Sequence, residues 1–308
     1  MDAPALELRK VSKRFGDFHA VQDVSLSVPP GCVYGFLGPN GAGKTTCLRM
    51  ILDILRPTSG SVRILGADSA LQVRQRVGYL PEEKGLYKKM KAWSVIAYFA
   101  TLKGLDRHTA RARAFTLLER YGLHDFAHAR TEALSKGMGQ KVQVLASIAH
   151  DPELVILDEP FSGLDPVNQT VLEEIIGDLK TRGRTILFST HVMQHAERLC
   201  DRLAIIARGR KLFDGTVEEA RRTLPRRVRL ETAADPAPLR DLPGVAALQP
   251  AGPGAWDLTL REGGDPQAIL QACFQRDLRL DGFRAAEPSL HDVFVHLVGP
   301  EAREAVFR

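Results

Sequence analysis

The segment that decides the fold reads GPNGAGKT and spans residues 38–45. It matches the pattern G-x-x-x-x-G-K-[ST] at every fixed position. The apolar run before it, 33–37, has the character of a buried strand, and residues 47–55 after it have helical periodicity. Strand, glycine-rich turn and helix is the order that a phosphate-binding loop requires. The segment therefore predicts a loop that binds the phosphates of a nucleotide.

The residue types in this loop explain its chemistry. Glycines let backbone N–H groups converge on phosphate oxygens, and the following helix directs its positive end at the same anion. Lys44 supplies an ammonium to the β- and γ-phosphates, and the Thr45 hydroxyl is placed to bind Mg²⁺. The predicted nucleotide-binding residues of the loop are Gly38, Pro39, Asn40, Gly41, Ala42, Gly43, Lys44, Thr45 and Thr46.

A second candidate feature is the pair of acids that follows the apolar run 154–157, Asp158 and Glu159. Strand carboxyl ends in open α/β sheets face the ligand crevice, and adjacent residues point in opposite directions, so the two acids have different tasks. Asp158 fits a partner of Mg²⁺, and Glu159 fits the group that orients or deprotonates the attacking water. The alternative is a solvated acidic pair, but the phosphate-binding loop favours acid–base chemistry.

Length and composition favour a globular protein of two domains. The chain has 308 residues, of which 44% are hydrophobic and 26% charged, and a domain averages about 150 residues. We expect no membrane span, which needs about 20 apolar residues. We also expect that the chain itself is not secreted, because residues 1–10 lack a secretory apolar core. The spacing of the four cysteines fits no metal site and favours reduced thiols: Cys32, Cys47, Cys200 and Cys273.

The pattern of elements divides the chain into residues 1–220 and 221–308. Strands alternate with helices in the first part, which predicts a mainly parallel sheet covered on both faces. Helical patterns interrupt this alternation and predict a helical subdomain over about 88–150. The weaker pattern of the second part predicts a small α+β domain with a split βαβ arrangement.

A cluster of arginines lies at the predicted boundary. One interpretation is a solvated linker, which is the usual role of a charge run. The other is contact with anionic lipid headgroups, worth about 1 kcal/mol per basic residue. The cluster consists of Arg221, Arg222, Arg226, Arg227 and Arg229.

With these motifs in order, residues 5–220 resemble the nucleotide-binding subunits of ATP-binding cassette (ABC) transporters. The segment 134–138, LSKGM, is similar to the family's signature, which faces the ATP of a second subunit, and Ser162 to Asp165 is similar to its D-loop. His191 matches the switch histidine, and Phe15 matches the aromatic residue that stacks on adenine. The resemblance implies further nucleotide-binding roles for Phe15, Ser135, Lys136, Gly137, Met138 and Asp165.

Three positions depart from the family pattern: Glu82, and in the signature Lys136 and Met138, which replace the usual Gly and Gln. Glu82 stands where the family usually has Gln, and a carboxylate there still reaches Mg²⁺ or water. Lys136 either adds a cation near the γ-phosphate or is simply exposed; the sequence does not decide between these. The resemblance thus implies Glu159, His191 and Glu82 as catalytic residues and Thr45, Asp158 and Glu82 as metal ligands.

The resemblance implies an ABC ATPase core of the phosphate-loop NTPase class that binds ATP and Mg²⁺. We expect a homodimer that hydrolyses ATP and energises an exporter through ATP-driven closure and opening. A membrane-spanning permease would dock around residues 82–90, where Tyr87 and Trp93 are candidate anchors; internal packing is the alternative for both. The expected location is peripheral, on the cytoplasmic face of the inner membrane.

Residues 226–308 resemble the extra C-terminal domain of some exporter cassettes, and the segment 288–294, PSLHDVF, carries that likeness. We hypothesise a regulatory or dimer-supporting role for it. Two rival functions are a cassette acting on ribosomes or DNA and a nucleotide switch without turnover. The net charge of +5 gives little attraction for nucleic acid, so no such partner is expected. Glu159 argues against a switch without turnover.

Overall fold

The computed structural model describes residues 3–83 and 85–299. Within this range, contacts group the chain into two units, residues 3–216 and residues 217–299. The described residues of the first unit form two sheets and those of the second form one, and each unit has its own hydrophobic core. No helix in the described ranges is long and apolar enough to cross a membrane.

The first unit contains a six-stranded sheet that holds the phosphate-binding segment. Its order is β5-β6-β7-β3-β8-β9, and all neighbours are parallel except the edge pair of β8 and β9. The inner strands are buried on both faces, as their continuous apolar runs predict. The strands are β3 (Val33–Leu37), β5 (Val77–Leu80), β6 (Leu154–Leu157), β7 (Thr185–Thr190), β8 (Arg202–Ala207) and β9 (Arg210–Thr216).

A three-stranded antiparallel sheet in the order β2-β1-β4 packs in the same unit. Its strands are β1 (Leu6–Phe15), β2 (Phe18–Val28) and β4 (Ser59–Ile64). The first two strands are longer than the alternation of residues 5–11 and 22–28 predicts, because their pairing continues to the tight turn between Phe15 and Phe18. Register shifts interrupt the alternation along β1, which hides its length in the sequence.

Helices cover the parallel sheet on two sides. One core lies between β6, β7 and the helical subdomain, and a second joins α1 to the antiparallel sheet. The helices of this unit are α1 (Lys44–Ile51), α2 (Ala92–Leu102), α3 (Arg107–Arg120), α4 (Lys136–Ile148), α5 (Pro166–Thr181) and α6 (Met193–Leu199). The expected interruption of the alternating pattern by helices is thus present as α2, α3 and α4.

The second unit is a four-stranded antiparallel sheet in the order β11-β12-β10-β13. This order is that of a split βαβ fold, except that one short 3₁₀ turn, Ala237–Leu239, replaces the first helix. Its elements are α7 (Val217–Arg222), β10 (Arg227–Glu231), β11 (Val245–Gly252), β12 (Ala255–Leu260), α8 (Pro266–Gln275), β13 (Gly282–Ala286) and α9 (Leu290–Val298).

The arginine cluster lies mostly within secondary structure. Arg221 and Arg222 end α7, and Arg227 and Arg229 occupy outward positions of β10. Arg226 pairs with Glu287 at 3.0 Å. The segment between α7 and β10 is therefore only residues 223–226, shorter than a linker built from the whole cluster would be.

Candidate functional site

The carboxyl ends of three neighbouring strands assemble the site. In the order β6-β7-β3, the phosphate-binding segment follows β3, the two acids follow β6, and His191 follows β7. Leu37 pairs with Thr190, and Leu157 pairs with Phe188, so the strands end at one edge of the sheet. Sequence-distant groups meet here because parallel strands share a carboxyl end.

Local backbone geometry shapes the phosphate-binding loop. Gly43 caps α1 with a φ of 101°, a conformation that a side chain would strain. A Cβ on Gly43 would also lie 2.5 Å from the carbonyl of Ala20. No side chain caps α1, and its first residues, Lys44, Thr45 and Thr46, line a cleft of about 350 Å³. The cleft is lined by Phe18, Ala20, residues 39–46, Glu82 and Glu159.

Lys44 is buried, with 6% of its surface exposed. Its ammonium donates to the carbonyl oxygens of Gly38, at 2.7 Å, and Pro39, at 3.3 Å. It also lies 3.1 Å from Oε1 of Glu159. This arrangement holds a desolvated cation in the phosphate cleft, where its interaction with an anion is stronger than in water.

Asp158 lies next to two hydroxyls, one of them from the phosphate-binding loop. Ser189 donates to Oδ1 at 2.6 Å, and the Thr45 hydroxyl lies 3.4 Å from the same oxygen. The other carboxylate oxygen, Oδ2, is buried and has no hydrogen-bond partner. Burial raises the pKa of Asp158, and nearby Glu159 raises it further, while the bonds from Ser189 and Thr45 oppose that change.

Glu159 faces two basic groups at once. Oε1 meets Lys44, and Oε2 lies 3.0 Å from Nδ1 of His191. Its backbone has a φ of 47°, in the left-handed region that non-glycine residues seldom adopt. The backbone N–H of Glu159 donates to Ser189 at 2.9 Å, which helps to hold this turn. The geometry places the carboxylate of Glu159, but not that of Asp158, on the lining of the cleft.

Glu82 also lines the cleft. Burial raises the pKa of Glu82, and the carboxylates of Asp158 and Glu159 raise it further. Three acids, of which Glu159 contacts Lys44, are therefore grouped at this edge. Within residues 3–83 and 85–299, no group of three or more His, Cys, Asp or Glu has the arrangement of a metal site.

The turn between β1 and β2 brings an aromatic side chain to the cleft. Phe18 lines the cleft, whereas Phe15, its partner across the β1–β2 turn, does not. Both rings are at least half exposed, and the Lys13 ammonium lies 5.2 Å from the centre of the Phe15 ring. The sequence pattern does not indicate Phe18 as a residue of the cleft, because only the geometry of the turn brings it to the loop.

The signature-like segment lies at the start of α4. Ser135 caps this helix by accepting a hydrogen bond from the Met138 N–H at 3.2 Å. Lys136 is exposed and its side chain covers Gly163, so closely that a Cβ there would clash with it. Gly137 is buried against the side chain of Asn168, and Asp165 caps α5. In the described ranges, none of Ser135, Lys136, Gly137, Met138 and Asp165 lines the phosphate cleft.

Ser189 is the functional candidate that sequence reasoning missed. It joins Asp158 to the backbone of Glu159, yet it lies thirty residues later in the chain. The signal available was its position near the end of a buried strand, two residues before His191. Only the pairing of β6 with β7 brings it beside the acids.

Comparison of this chain with known proteins shows the family to which it belongs. Residues 21–162 match a family model described as ABC transporter, and residues 215–298 match one described as ATP-binding protein DrrA1-3-like, C-terminal domain. The chain is 40% identical over 295 residues to the ABC transporter ATP-binding protein YhaQ of Bacillus subtilis (strain 168), covering 96% of this chain and 98% of that protein. The chain is an ABC transporter ATP-binding subunit.

Two further comparisons agree with this membership. The ABC subunit is 39% identical over 218 residues to the Nod factor export ATP-binding protein I of Burkholderia orbicola (strain AU 1054), covering 70% of this chain and 72% of that protein. It also resembles a solved structure of an ATP-binding subunit of an ABC transporter, with a TM-score of 0.66, 32% identity, and coverage of 71% of this chain and 92% of that one.

Membership confirms the expected ABC ATPase fold, with its helical subdomain and its additional C-terminal α+β part. Subunits of this family bind and hydrolyse ATP and work with membrane-spanning permease partners. The ATPase activity predicted from the loop and the acids is therefore confirmed at the level of the family. The roles of individual site residues stay predictions.

Proposed function

We propose that two copies of this ABC subunit close head to tail around two ATP molecules, and that hydrolysis reopens the dimer and drives an exporter. One observation carries the proposal. The phosphate cleft contains the loop, Glu82 and Glu159, while the signature-like Ser135 lines a separate cleft near Leu86. A second chain is then the source of a helix N-terminus that faces the γ-phosphate, as in a two-fold isologous dimer.

Within each site, four side chains have separate tasks. Lys44 binds the γ-phosphate, and the N–H groups of the loop and α1 hold the β-phosphate. Glu159 accepts a proton from the attacking water, a contribution of about 10²- to 10⁴-fold in rate. His191 lies 3.0 Å from Glu159 and orients this carboxylate. Lys136 would approach the second site from the opposite chain.

Mg²⁺ fits the Thr45–Asp158 pair. The unpartnered, buried Oδ2 of Asp158 is the observation that supports this assignment, because hard cations prefer such oxygen ligands. Thr45 and Glu82 would supply further oxygens at the edge of the cleft. When bound, the cation neutralises charge that develops on the phosphates during hydrolysis. The residues present therefore fit the cation that the family implies.

Export is the direction that we propose for transport. The support is the likeness to the Nod factor export ATP-binding protein I and to the DrrA1-3-like C-terminal domain. The permease would dock on the helical subdomain near Tyr87, which is half exposed and meets Tyr98 edge to face. Trp93 instead stacks on Phe115, so it contributes packing. Through this partner the subunit would lie on the cytoplasmic face of the inner membrane.

A complementation experiment tests the dimer. Lys44→Ala disables the loop, and Ser135→Arg blocks the signature, so each variant alone should hydrolyse ATP poorly. In a mixed dimer, one site combines both defects and the other combines the intact Lys44 with the intact Ser135. We expect the mixture to regain up to about a quarter of wild-type turnover, since half of the dimers are mixed and each has one intact site.

The control is a mixture of Lys44→Ala with a second loop variant, Thr45→Ala, which leaves no site fully intact. It should regain nothing. Equal, background turnover in both mixtures would contradict a site shared between two chains. Full activity of the Ser135→Arg variant alone would contradict it as well, because the signature would then not contribute to hydrolysis.

A further inference from the structure

His195 is a buried histidine that the proposed mechanism does not use. It lies on α6, four residues after His191, and 7% of its surface is exposed. It does not line the phosphate cleft. Its ring lies flat against the ring of Phe161, with the ring centres 4.0 Å apart and an angle of 9° between the planes. A parallel contact this close is a specific packing arrangement between two aromatic rings.

A carboxylate lies beside the His195 ring. Nδ1 lies 3.7 Å from Oε1 of Glu173 on α5, and the same carboxylate pairs with Arg198 on α6. Burial lowers the pKa of His195, with Glu173 opposing that change, which favours the neutral ring in the stack on Phe161. His195 thus joins α5, α6 and the segment between Glu159 and Asp165.

Phe161 anchors that segment. It is buried, at 5% exposure, and meets Phe188 of β7 edge to face at 6.0 Å. The chain turns tightly here, because the Ser162 N–H donates to the Glu159 carbonyl at 3.1 Å and Leu164 donates to Phe161 at 3.2 Å. The Phe161 ring therefore sits two residues from the proposed base, on the same rigid turn.

From this geometry we infer that His195 is a positioning residue, whose stacking on Phe161 holds the turn that carries Glu159 against the helix that follows His191. Nδ1 of His191 and Oε2 of Glu159 are 3.0 Å apart, and their alignment depends on the turn and α6 being held together. Movement of α6 would be transmitted through the stacked rings to Glu159. The inference rests on the roles that we propose for Glu159 and His191.

The test compares His195→Ala with His150→Ala. His150 is a histidine of matched burial, at 8% exposure, whose Nε2 lies 3.2 Å from the Val77 carbonyl, away from α6. Both variants should lower the melting temperature. Only His195→Ala should lower kcat, by about ten- to a hundredfold, as small misplacements of catalytic groups do. KM and the Kd for ATP should stay within about twofold, since His195 does not line the cleft.

A rescue variant separates positioning from mere folding. His195→Phe keeps a flat ring on Phe161 and should restore at least half of wild-type kcat. A kcat for His195→Ala within twofold of wild type would overturn the inference. So would an equal loss of kcat in His150→Ala, or a His195→Phe variant as slow as His195→Ala. Should His195→Ala not fold, the kcat of His195→Phe decides alone: at least half of the wild-type value supports the inference, and a lower value overturns it.

The Glu159→Gln variant keeps this inference distinct from the proposed function. Wild-type turnover by Glu159→Gln would remove the proposed base, and the inference with it. Loss of turnover in Glu159→Gln together with unchanged kcat in His195→Ala would refute the positioning role alone. Loss of turnover in both Glu159→Gln and His195→Ala, with recovery in His195→Phe, supports both the proposed base and the positioning role.

Discussion

The ammonium of Lys44 lies 3.1 Å from Oε1 of Glu159, and both side chains are less than a tenth exposed. This ion pair joins the phosphate-binding loop directly to the proposed base. A γ-phosphate carries more negative charge than a carboxylate, so we expect ATP to compete for Lys44. Glu159 would then exchange one of its two basic neighbours for water, while His191 keeps the other oxygen in place.

Removing the charge of Lys44 should abolish tight nucleotide binding. Lys44→Met keeps the stem of the side chain but loses the ammonium, and we expect the Kd for ATP to rise at least about tenfold, a loss of about 1.4 kcal/mol. Titration with a fluorescent ATP analogue measures this change. Lys103→Met is the control, because Lys103 is a half-buried lysine that bonds to the Arg74 and Val77 carbonyls. Equal affinities of the two variants would contradict the assigned role.

Ser189 should contribute to both stability and catalysis. Ser189→Ala leaves the N–H of Glu159 without its acceptor and removes the closer of the two hydroxyls that donate to Asp158. This costs about 1–3 kcal/mol of unfolding free energy. It should also lower kcat, because the Glu159 turn loses a support. Urea denaturation and ATPase assays measure the two effects. Ser147→Ala is the control, since Ser147 bonds only to a carbonyl of its own helix. A kcat loss in the control of the same size would contradict the prediction.

His150 should make stability depend on pH. Burial, followed by the charge of Lys103, lowers the pKa of His150 to about 4 from 6.5. The unfolded chain binds a proton at higher pH than the folded one, so stability present above pH 6.5 is lost as the pH falls towards 4. The size of this loss is about 2–4 kcal/mol.

Urea denaturation of wild type and His150→Gln at pH 7 and pH 4.5 checks this expectation. Other groups titrate equally in both proteins, so the difference between their pH dependences reports His150. We expect the wild type to lose more stability than His150→Gln over this interval. Parallel curves for the two proteins would show that His150 is not held neutral.

The phosphate-binding loop and the acids could be predicted because their signals are local. Residues 38–45 carry a complete pattern, and Asp158 and Glu159 directly follow an apolar run. Ser189 could not be predicted, because its partners belong to a neighbouring strand. Phe18 reaches the cleft through a tight turn, which periodicity does not resolve. In the sequence, a buried Trp93 and a Trp93 that anchors a partner look alike. Only the stack of its ring on Phe115 shows that it contributes to internal packing.

The most direct test of the shared ATP site is sedimentation of Glu159→Gln with and without Mg-ATP. Without its base, this variant should lose turnover by about 10²- to 10⁴-fold and accumulate as a dimer that retains ATP. Glu153→Gln is the matched control: Glu153 flanks the same strand but pairs with Arg76 on the surface, so turnover should stay at the wild-type rate. A Glu159→Gln subunit that stays monomeric at saturating Mg-ATP, and that hydrolyses it at the wild-type rate, would contradict the account.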